Sequence, residues 1–399
     1  MDLQFTPEEL AFRDEVRAFM RERLPEDIRQ RMLGRGQPPK EDVVRWQRIL
    51  NERGWAAPNW PVQWGGTDWT QVQRYLFWEE LHAAPAPEPL SFNINMLGPV
   101  LIAIGSEEQK KRFLPRMRNL DDWWCQGFSE PEAGSDLAAL KTFARREGDE
   151  YVLNGQKIWT TGAHQADWMF CLVRTSKEAK KQAGISFLLV DMKTPGITVR
   201  PLTALSGTHV FNEVFLDEVR VPVENRVGEE NKGWSYAKFL LGNERAGIAR
   251  VGISKERLVR AKALAGQLAS GGRLLSEDPR FRERVAALEV RLMALEMTQL
   301  RLVSAHAGVE DGGNDPTASI LKVRGSQMQQ LAAELLTGLA GPHALPYHKA
   351  GGCAEDPLGG DPEWAGHAAP AYFFSRAYTL YGGSTEVQKN ILARTIFGS

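Results

Sequence analysis

The sequence predicts an α+β protein in which a helical domain, a β domain and a second helical domain follow one another along 399 residues. Two changes of pattern carry this prediction. Near residue 123 the apolar residues change from helical spacing to polar–apolar alternation, and after residue 230 the helical spacing returns. Hydrophobic residues make up 43% of the chain, which is enough for a substantial core. We therefore expect domains over residues 1–122, 123–232 and 233–399.

The N-terminal domain is predicted from helix signals. Thr6 is a capping residue, Pro7 occupies the first helical position and Glu9 lies three residues after the cap, an order that is typical of a helix start. Further helices are expected over residues 41–53, 70–83 and 106–119.

The middle domain is predicted from alternation. Residues 141–162 alternate polar and apolar side chains, and further strand-like runs continue to residue 222. The dipeptide Asn154-Gly155 is typical of two-residue hairpins, so it predicts a turn between two strands.

The C-terminal domain reads as a helical bundle. A helical stretch over 233–270 is followed by Asp278-Pro279 and Asp315-Pro316, which each mark the start of a long helix, and a last helix is expected over 384–396. The apolar residues of the helix from 279 recur at steps of three and four: Phe281, Val285, Leu288, Leu292, Leu295 and Leu302. This seam predicts packing against a helix of this chain or of a second copy. The connection 351–370 is irregular and long for a bundle.

Charge and cysteine content exclude several classes of protein. Lys plus Arg total 49 and Asp plus Glu total 50, so we expect neither nucleic acid nor a membrane as a partner. The three cysteines form no CxxC pair, which predicts no structural zinc site and a reducing, cytoplasmic setting. The acidic N-terminus is not expected to be a secretory signal, and no apolar run approaches the roughly 18 residues that span a bilayer.

Motifs of several common enzymes are absent from the sequence. It has no GxxxxGK(S/T), no GxGxxG after a strand, no HExxH and no GxSxG, which argues against a doubly wound nucleotide fold and a common hydrolase. The seven histidines are scattered, so no metal site is expected.

Three long motifs resemble those of the acyl-CoA dehydrogenase family. They are CQGFSEPEAGSDLAALKT (125–142), NGQKIWTTGAHQADW (154–168) and YGGSTEVQKNILAR (381–394). The resemblance covers essentially the whole chain in order. It implies a helical N-terminal domain, a β-barrel-like middle domain and a C-terminal four-helix bundle. It also implies bound FAD and α,β-dehydrogenation of an acyl-CoA thioester, in which flavin N5 accepts the β hydrogen as hydride.

The resemblance also implies the cofactor site. Phe128 and Ser129 would meet the flavin ring, Trp159 would lie against the isoalloxazine, and Thr161 would hydrogen-bond near N5. An indole shields the ring from water, and a donor aimed at N5 favours hydride transfer. Ser135 would contact the CoA portion near the thioester. The other implied cofactor positions are Gln126, Arg273, Gly338, Ser384 and Glu386. Each residue alone is compatible with an ordinary turn, cap or core position, and their joint order favours the functional interpretation.

The expected catalytic base is missing from the last motif. Many family members have Tyr-Glu-Gly-Thr here, with Glu as the base, whereas this chain has Gly382 after Tyr381. Other members carry the base immediately before an Arg on the helix that opens the C-terminal domain, which here gives Glu244 and Arg245. We predict Glu244 as the base, Arg245 as its charge partner and the Gly382 N–H as a donor to the thioester carbonyl. The alternative is a solvated Glu–Arg pair.

The resemblance leaves substrate and assembly open. The Glu-before-Arg arrangement is similar to that of bacterial subfamilies acting on branched, dicarboxylic or steroid-derived acyl-CoAs in fatty acid metabolism. An electron-transferring flavoprotein is the expected electron acceptor, and a homo- or hetero-tetramer is the expected assembly. Two other interpretations are a reduced-flavin-dependent monooxygenase of the same fold and a non-catalytic partner subunit of a heteromeric dehydrogenase. Segment 351–370 is expected to shape the acyl pocket.

Overall fold

The computed structural model describes residues 4–35, 38–244, 249–305, 316–345 and 364–398. A helical N-terminal part, a curled sheet and a helical C-terminal part follow one another, which confirms the predicted fold class. Within these ranges no helix combines the length and apolar character that a membrane crossing requires.

The N-terminal part contains six α-helices among the residues that the structure describes. They are α1 (Pro7–Arg23), α2 (Glu26–Arg35), α3 (Lys40–Glu52), α4 (Gln71–Ala83), α5 (Gly98–Ile104) and α6 (Glu107–Arg118). A capping box stands before α1, α4 and α6, formed by Thr6, Thr70 and Ser106, which is why these helix starts could be predicted from the sequence. A π-helical turn, Phe92–Leu97, leads into α5.

The middle part is one mixed sheet of seven strands. They are β1 (Trp124–Gly127), β2 (Phe143–Glu147), β3 (Glu150–Lys157), β4 (Trp168–Arg174), β5 (Ile185–Asp191), β6 (Ile197–Thr203) and β7 (His209–Pro222). The order is β1-β4-β2-β3-β7-β6, and β5 also pairs with β4. Strand β4 is buried on both faces: Phe170 and Leu172 join the cluster shared with the helices, whereas Met169, Cys171 and Val173 join the other cluster.

The predicted turn at Asn154-Gly155 is wrong. Both residues lie inside β3, and the chain reverses at Gly148-Asp149 instead, between β2 and β3. The register between β3 and β7 shifts at Leu153/Gly155, and a β-carbon on Gly155 would come 2.7 Å from the Thr142 Cα. The glycine is needed for a bulge and a close approach, which turn propensity cannot distinguish from a hairpin.

A buried ion pair connects the end of β3 to β4 and to the segment that follows β1. Lys157, at the end of β3, is fully buried, and its Nζ donates to Glu130 Oε1 (2.8 Å), Leu172 O (2.7 Å) and Phe128 O (3.3 Å). Glu130 also accepts from the backbone N–H of Lys141 (2.6 Å) and of Thr142 (2.9 Å). Every donor of the ammonium is therefore satisfied, as burial of a charge requires.

The C-terminal part contains six helices and a short hairpin within the described residues. They are α7 (Gly233–Glu244), α8 (Val251–Ala265), β8 (Ala269–Ser270), β9 (Arg273–Leu274), α9 (Pro279–Ala305), α10 (Pro316–Ala340), α11 (Ala365–Ser375) and α12 (Thr385–Phe397). The predicted helical stretch 233–270 is two helices, because Arg250 has a left-handed backbone (φ 45°) immediately before α8. Residues 346–363 lie outside the described ranges, and the remainder of the predicted irregular segment is helical from Ala365.

The apolar seam of α9 packs within this chain. Val285, Leu288, Leu292 and Leu295 are buried in one cluster with residues of α8 and α10, which decides between the two partners that the sequence left open. Helix α10 approaches the start of α8 closely at Gly325, where a β-carbon would lie 2.5 Å from the Ala249 Cα.

We expect Gly325→Ala to destabilise the protein by about 1–3 kcal/mol, because the added methyl group would meet backbone atoms of Ala249 that cannot rotate away. Gly242→Ala is the matched control: it is also helical, but nothing lies within 4 Å of its β-carbon position, so it should be neutral or stabilise by up to about 1 kcal/mol. Urea unfolding measures both. Equal effects would contradict the close crossing.

We expect Lys157→Met to reduce the free energy of unfolding by about 3–5 kcal/mol, because Glu130 would keep a buried charge without its cation. Lys181→Met is the control: its pair with Asp136 is about half exposed, so its loss should cost less than about 1 kcal/mol. Urea titration at neutral pH separates the two. A loss for Lys157→Met no larger than that of the control would show that the buried pair stabilises the protein no more than an exposed pair does.

The same pair predicts a pH dependence. Burial acts to raise the pKa of Glu130, but Lys157 and the donated hydrogen bonds outweigh it and lower the pKa below its ordinary value. The folded protein therefore holds the carboxylate more strongly than the unfolded chain does. This stability is fully present above about pH 4.3, the ordinary pKa of Glu, and is lost as the pH falls towards the lowered value.

Candidate active site

Two segments of the middle part lie side by side at one rim of the sheet. Residues 128–130 follow β1 and residues 158–162 follow β3. The Ile158 N–H donates to Ser129 O at 2.9 Å, and the buried Lys157 Nζ donates to Phe128 O at 3.3 Å. The structure therefore brings together the two motifs that the sequence identified separately.

Trp159 projects from this rim in a constrained backbone. Its φ is 59°, a region that residues with a bulky side chain rarely adopt and that costs about 1–3 kcal/mol. Hydrogen bonds hold the chain on both sides, from Ile158 N to Ser129 O and from Thr160 N to Asn212 O (3.0 Å). The indole is 59% exposed, so the fold stabilises this conformation while leaving the ring free to meet a ligand.

A row of aromatic rings connects Trp159 to the C-terminal motif. Trp159 meets Phe211 edge-on at 5.8 Å between ring centroids, and Phe211 stacks on Phe374 of α11 at 6.0 Å. Phe374 contacts Tyr378 at 6.0 Å, and Tyr378 contacts Tyr381 at 5.8 Å. The row places the loop after Tyr381 on the same side of the molecule as the rim. Phe211 and Phe374 were missed by the sequence analysis, and the aromatic run at 372–374 was the signal for Phe374 alone.

The loop at Gly382 and Gly383 has a backbone that favours glycine. Their φ angles are 64° and 86°, both left-handed, and a β-carbon on Gly383 would come 2.3 Å from Gln388 Nε2. A glutamate at 382 would have to adopt this unfavourable region. The loop is thus shaped to present main-chain groups rather than a carboxylate.

The next two predicted cofactor residues begin helix α12. Ser384 is its N-cap, and its Oγ accepts from the Val387 N–H at 3.3 Å. Glu386 is exposed in the first turn, where hydrogen bonds from its own N–H and then from Ser384 lower its pKa. The Ser384 hydroxyl therefore has a structural function in the chain, and the exposed Glu386 carboxylate is the more accessible of the two to a ligand.

The predicted flavin-facing residues of the middle part differ in exposure. The Phe128 ring is buried against Phe170 (5.7 Å) and Phe187 (6.1 Å), so this side chain belongs to the core. Ser129 and Thr161 are partly exposed, and their hydroxyls have no hydrogen-bond partner among the described residues. Two unengaged hydroxyls beside an exposed indole suit the polar edge and the flat face of a flavin ring.

The remaining predicted residues lie on other elements. Gln126 is partly exposed on β1, and Ser135 is exposed in the loop after it. Arg273 is exposed on β9 of the hairpin turned by Gly271 and Gly272, and Gly338 lies within α10 beside Arg284. Contacts of Ser135, Arg273 and Gly338 with a ligand remain predictions from the resemblance.

The predicted base lies at the end of the described part of α7. The backbone of α7 is helical to Glu244, but the Glu244 side chain and the whole of Arg245 lie outside the described residues. Ala237 and Leu240 of the same helix are buried in one cluster with Phe128 and Phe170. Helix α7 therefore packs against the part of the sheet that carries the first flavin-type motif.

A polar cluster that the sequence analysis missed holds the start of α8. Arg250 Nη2 donates to Glu88 Oε2 at 2.8 Å, and His82 Nε2 lies 2.9 Å from Glu88 Oε1. Burial opposes ionisation of Glu88, yet Arg250 and His82 lower its pKa to about 2. Glu88 is therefore a weak proton acceptor that anchors Arg250. Among the described residues, no group of three or more His, Cys, Asp or Glu is arranged to hold a metal ion.

Family models agree with the three parts of the chain. The model of the acyl-CoA dehydrogenase N-terminal domain matches residues 6–121, that of the middle domain matches 125–219, and that of the C-terminal domain matches 231–397.

Related proteins extend over nearly the full length. Acyl-CoA dehydrogenase IpdE1 of Mycobacterium tuberculosis is 35% identical over 394 residues, which covers 97% of this chain and 97% of the relative. Acyl-CoA dehydrogenase FadE26 of the same organism is 32% identical and covers 100% and 98%.

Solved structures show the same architecture. A structure described as the Tcur3481-Tcur3483 steroid ACAD superposes with a TM-score of 0.85 at 30% identity, covering 100% of this chain and 99% of that one. The ChsE4-ChsE5 complex from Mycobacterium tuberculosis gives 0.83 at 30% identity, covering 100% and 99%.

The matched domains, the full-length relatives and the exposed, flavin-compatible rim all lead to the same conclusion. The chain belongs to the acyl-CoA dehydrogenase family of FAD-dependent oxidoreductases.

Proposed function

We propose that the protein catalyses the α,β-dehydrogenation of an acyl-CoA thioester to the trans-2-enoyl-CoA, with Glu244 as the base. The observation that carries the proposal is the aromatic row, which brings the glycine loop after Tyr381 to the rim that carries Trp159. Bound FAD would supply the hydride acceptor. The exposed Trp159 indole would cover one face of its ring, and the Ser129 and Thr161 hydroxyls would donate to its edge.

Position 244 suits the function of a base. It follows Leu240 by four residues, so it lies one turn further along the same side of α7, and Leu240 is buried in the cluster that contains Phe128. A carboxylate at the end of an apolar helix face is poorly hydrated once substrate excludes water. In this proposal the exclusion of water would raise the pKa of the carboxylate and make it a stronger proton acceptor for the substrate α carbon.

The loop after Tyr381 would complete the site without a carboxylate. In this proposal the Gly382 N–H donates to the thioester carbonyl, which polarises it and acidifies the α proton. Left-handed φ angles at 382 and 383 keep this loop tight, and the Gln388 amide supports it by donating to Gly382 O at 3.4 Å. Arg245 would balance the charge of Glu244.

We expect Glu244→Gln to bind FAD and remain yellow but to lose flavin bleaching by substrate, with a rate about 10²–10⁴-fold lower, because an amide cannot accept the proton. Anaerobic stopped-flow absorbance measures this. Glu283→Gln, on the exposed face of α9, is the control and should bleach at the wild-type rate. Normal bleaching by Glu244→Gln would refute the assignment of the base.

A steroid-derived or similarly bulky acyl group is the proposed substrate class. Support comes from the full-length similarity to a structure described as a steroid ACAD. Anaerobic titration of the yellow protein with straight-chain, branched, dicarboxylic and steroid-derived acyl-CoAs tests this class. Complete bleaching by a straight-chain acyl-CoA, with none by the bulky ones, would contradict it.

A heteromeric assembly is a second candidate for the working form. Two of the similar structures are described as two-component proteins, Tcur3481-Tcur3483 and ChsE4-ChsE5. The chain purified alone would then hold little FAD and regain it with its partner. Stoichiometric FAD on the isolated chain would contradict this form.

An electron-transferring flavoprotein is the proposed electron acceptor. Oxygen consumption together with weak flavin binding would instead favour a monooxygenase.

A further inference from the structure

A buried asparagine forms hydrogen bonds with the segment 158–162, which contains Trp159 and Thr161. Asn212 of β7 is fully buried, and its backbone carbonyl accepts from the Thr160 N–H at 3.0 Å. Its side-chain Nδ2 donates to the Thr160 carbonyl at 2.9 Å. Both main-chain polar groups of Thr160 are therefore held by one residue. The peptide unit between the strained Trp159 and the ligand-facing Thr161 has its position set by Asn212.

Two stacked histidines complete the hydrogen bonding of this asparagine. The rings of His164 and His209 lie 4.0 Å apart and 28° from parallel. His209 Nε2 is 2.8 Å from Asn212 Oδ1, and His164 Nδ1 is 3.1 Å from Asn212 Nδ2. Both rings are exposed to solvent, whereas the amide between them is not. Solvent therefore reaches the two histidines directly.

The protonation states follow from the partners. The Thr160 carbonyl can only accept, so the amide end that faces it must be the NH₂ group. The second hydrogen of that group then points at His164 Nδ1, which must offer a lone pair. The opposite end is Oδ1, which accepts from an Nε2–H of His209. A proton on His164 Nδ1 would place two donors against each other, and the amide cannot turn over without losing Thr160.

The surrounding charges also favour a neutral His164. Burial of part of the ring lowers the pKa of His164, and His209 and Lys40 lower it further. Lys40 of α3 donates to the neighbouring Gln165 carbonyl at 2.6 Å. Asp167 is the acidic residue of the same loop, and its Oδ2 accepts from the Trp123 N–H at 2.9 Å. Arg200 of the adjacent β6 stacks over Phe215 instead.

We propose that Asn212, His164 and His209 form a positioning cluster that holds the Thr160–Thr161 peptide towards the flavin only while His164 is neutral. The cluster makes FAD binding sensitive to pH. This inference rests on the proposed function for the placement of Thr161 at the flavin. No atom of the cluster reacts; it acts through Thr160 and Thr161.

The direction of the effect follows from the lowered pKa. The pKa of His164 is lower when the hydrogen bonds of the cluster are formed than when the segment is disordered, so protonation of His164 disfavours the positioned segment. The positioning is fully present above the ordinary pKa of His, about 6.5, and is lost as the pH falls through the lowered value. We therefore expect FAD affinity to fall by roughly fivefold between pH 8 and pH 5, the effect of about one net hydrogen bond.

Fluorescence titration of FAD into apoprotein across this pH range is the test. His164→Asn places a non-titrating amide oxygen near the former Nδ1, so its affinity should be independent of pH. His209→Gln keeps an N–H donor but removes the ring whose electrostatic effect lowers the pKa of His164, so the midpoint should move to higher pH. Gln165→Asn is the matched control in the same loop and should titrate like the wild type. An unchanged pH dependence in His164→Asn would overturn the proposal.

A second measurement does not require flavin at all. Nitrogen–proton NMR correlation spectra of the apoprotein report the ring tautomers, and both His164 and His209 should carry their proton on Nε2 near neutral pH. A proton on His164 Nδ1 would overturn the inference. If the tautomers are as expected but the wild type binds no FAD at any pH, the proposed function fails and the hydrogen-bonded cluster stands.

Asn212→Leu removes the side-chain hydrogen bond to Thr160, so this variant should bind FAD weakly at every pH.

Discussion

The buried pair of Lys157 and Glu130 is the interaction on which the geometry of the candidate site depends. An ammonium inside a protein costs several kcal/mol unless its whole hydrogen-bonding capacity is met, and here three acceptors meet it. These acceptors belong to the segment after β1 and to β4, while the lysine ends β3. Because the pair cannot be rearranged without exposing an unpaired charge, the segments 128–130 and 158–162 keep a constant separation.

That rigidity is what allows strain at the rim. Trp159 adopts an unfavourable φ, and hydrogen bonds on both sides over-determine its backbone. Its ring then begins the aromatic row that ends at Tyr381. The loop beyond needs two left-handed residues, a shape that favours glycine over a carboxylate-bearing side chain. The proposed base on α7 does not require a carboxylate in this loop, and α7 packs on the same sheet.

The segment 158–162 is held by two sets of interactions that respond differently to pH: the Lys157–Glu130 pair and the hydrogen bonds of Asn212 with the two histidines. Lys157 is inaccessible to solvent, and its partner stays ionised down to acidic pH, so this support is constant under physiological conditions. The histidines beside Asn212 are exposed, and partial burial and neighbouring charge lower the pKa of His164. The position of the segment along the sheet is therefore permanent, whereas the orientation of its Thr160 peptide responds to the solvent.

The sequence by itself determined features that depend on neighbours a few residues apart: the helix starts at Thr6 and Pro279, the apolar seam of α9, and the residue types of the flavin motifs. Only the tertiary structure decided that the seam packs within this chain and that Gly155 serves a bulge, because both depend on partners distant in sequence. Phe374 and Asn212 belong to no motif. Packing connects Phe374 to Trp159 through Phe211 and places Asn212 against Thr160, and such long-range packing leaves no local pattern.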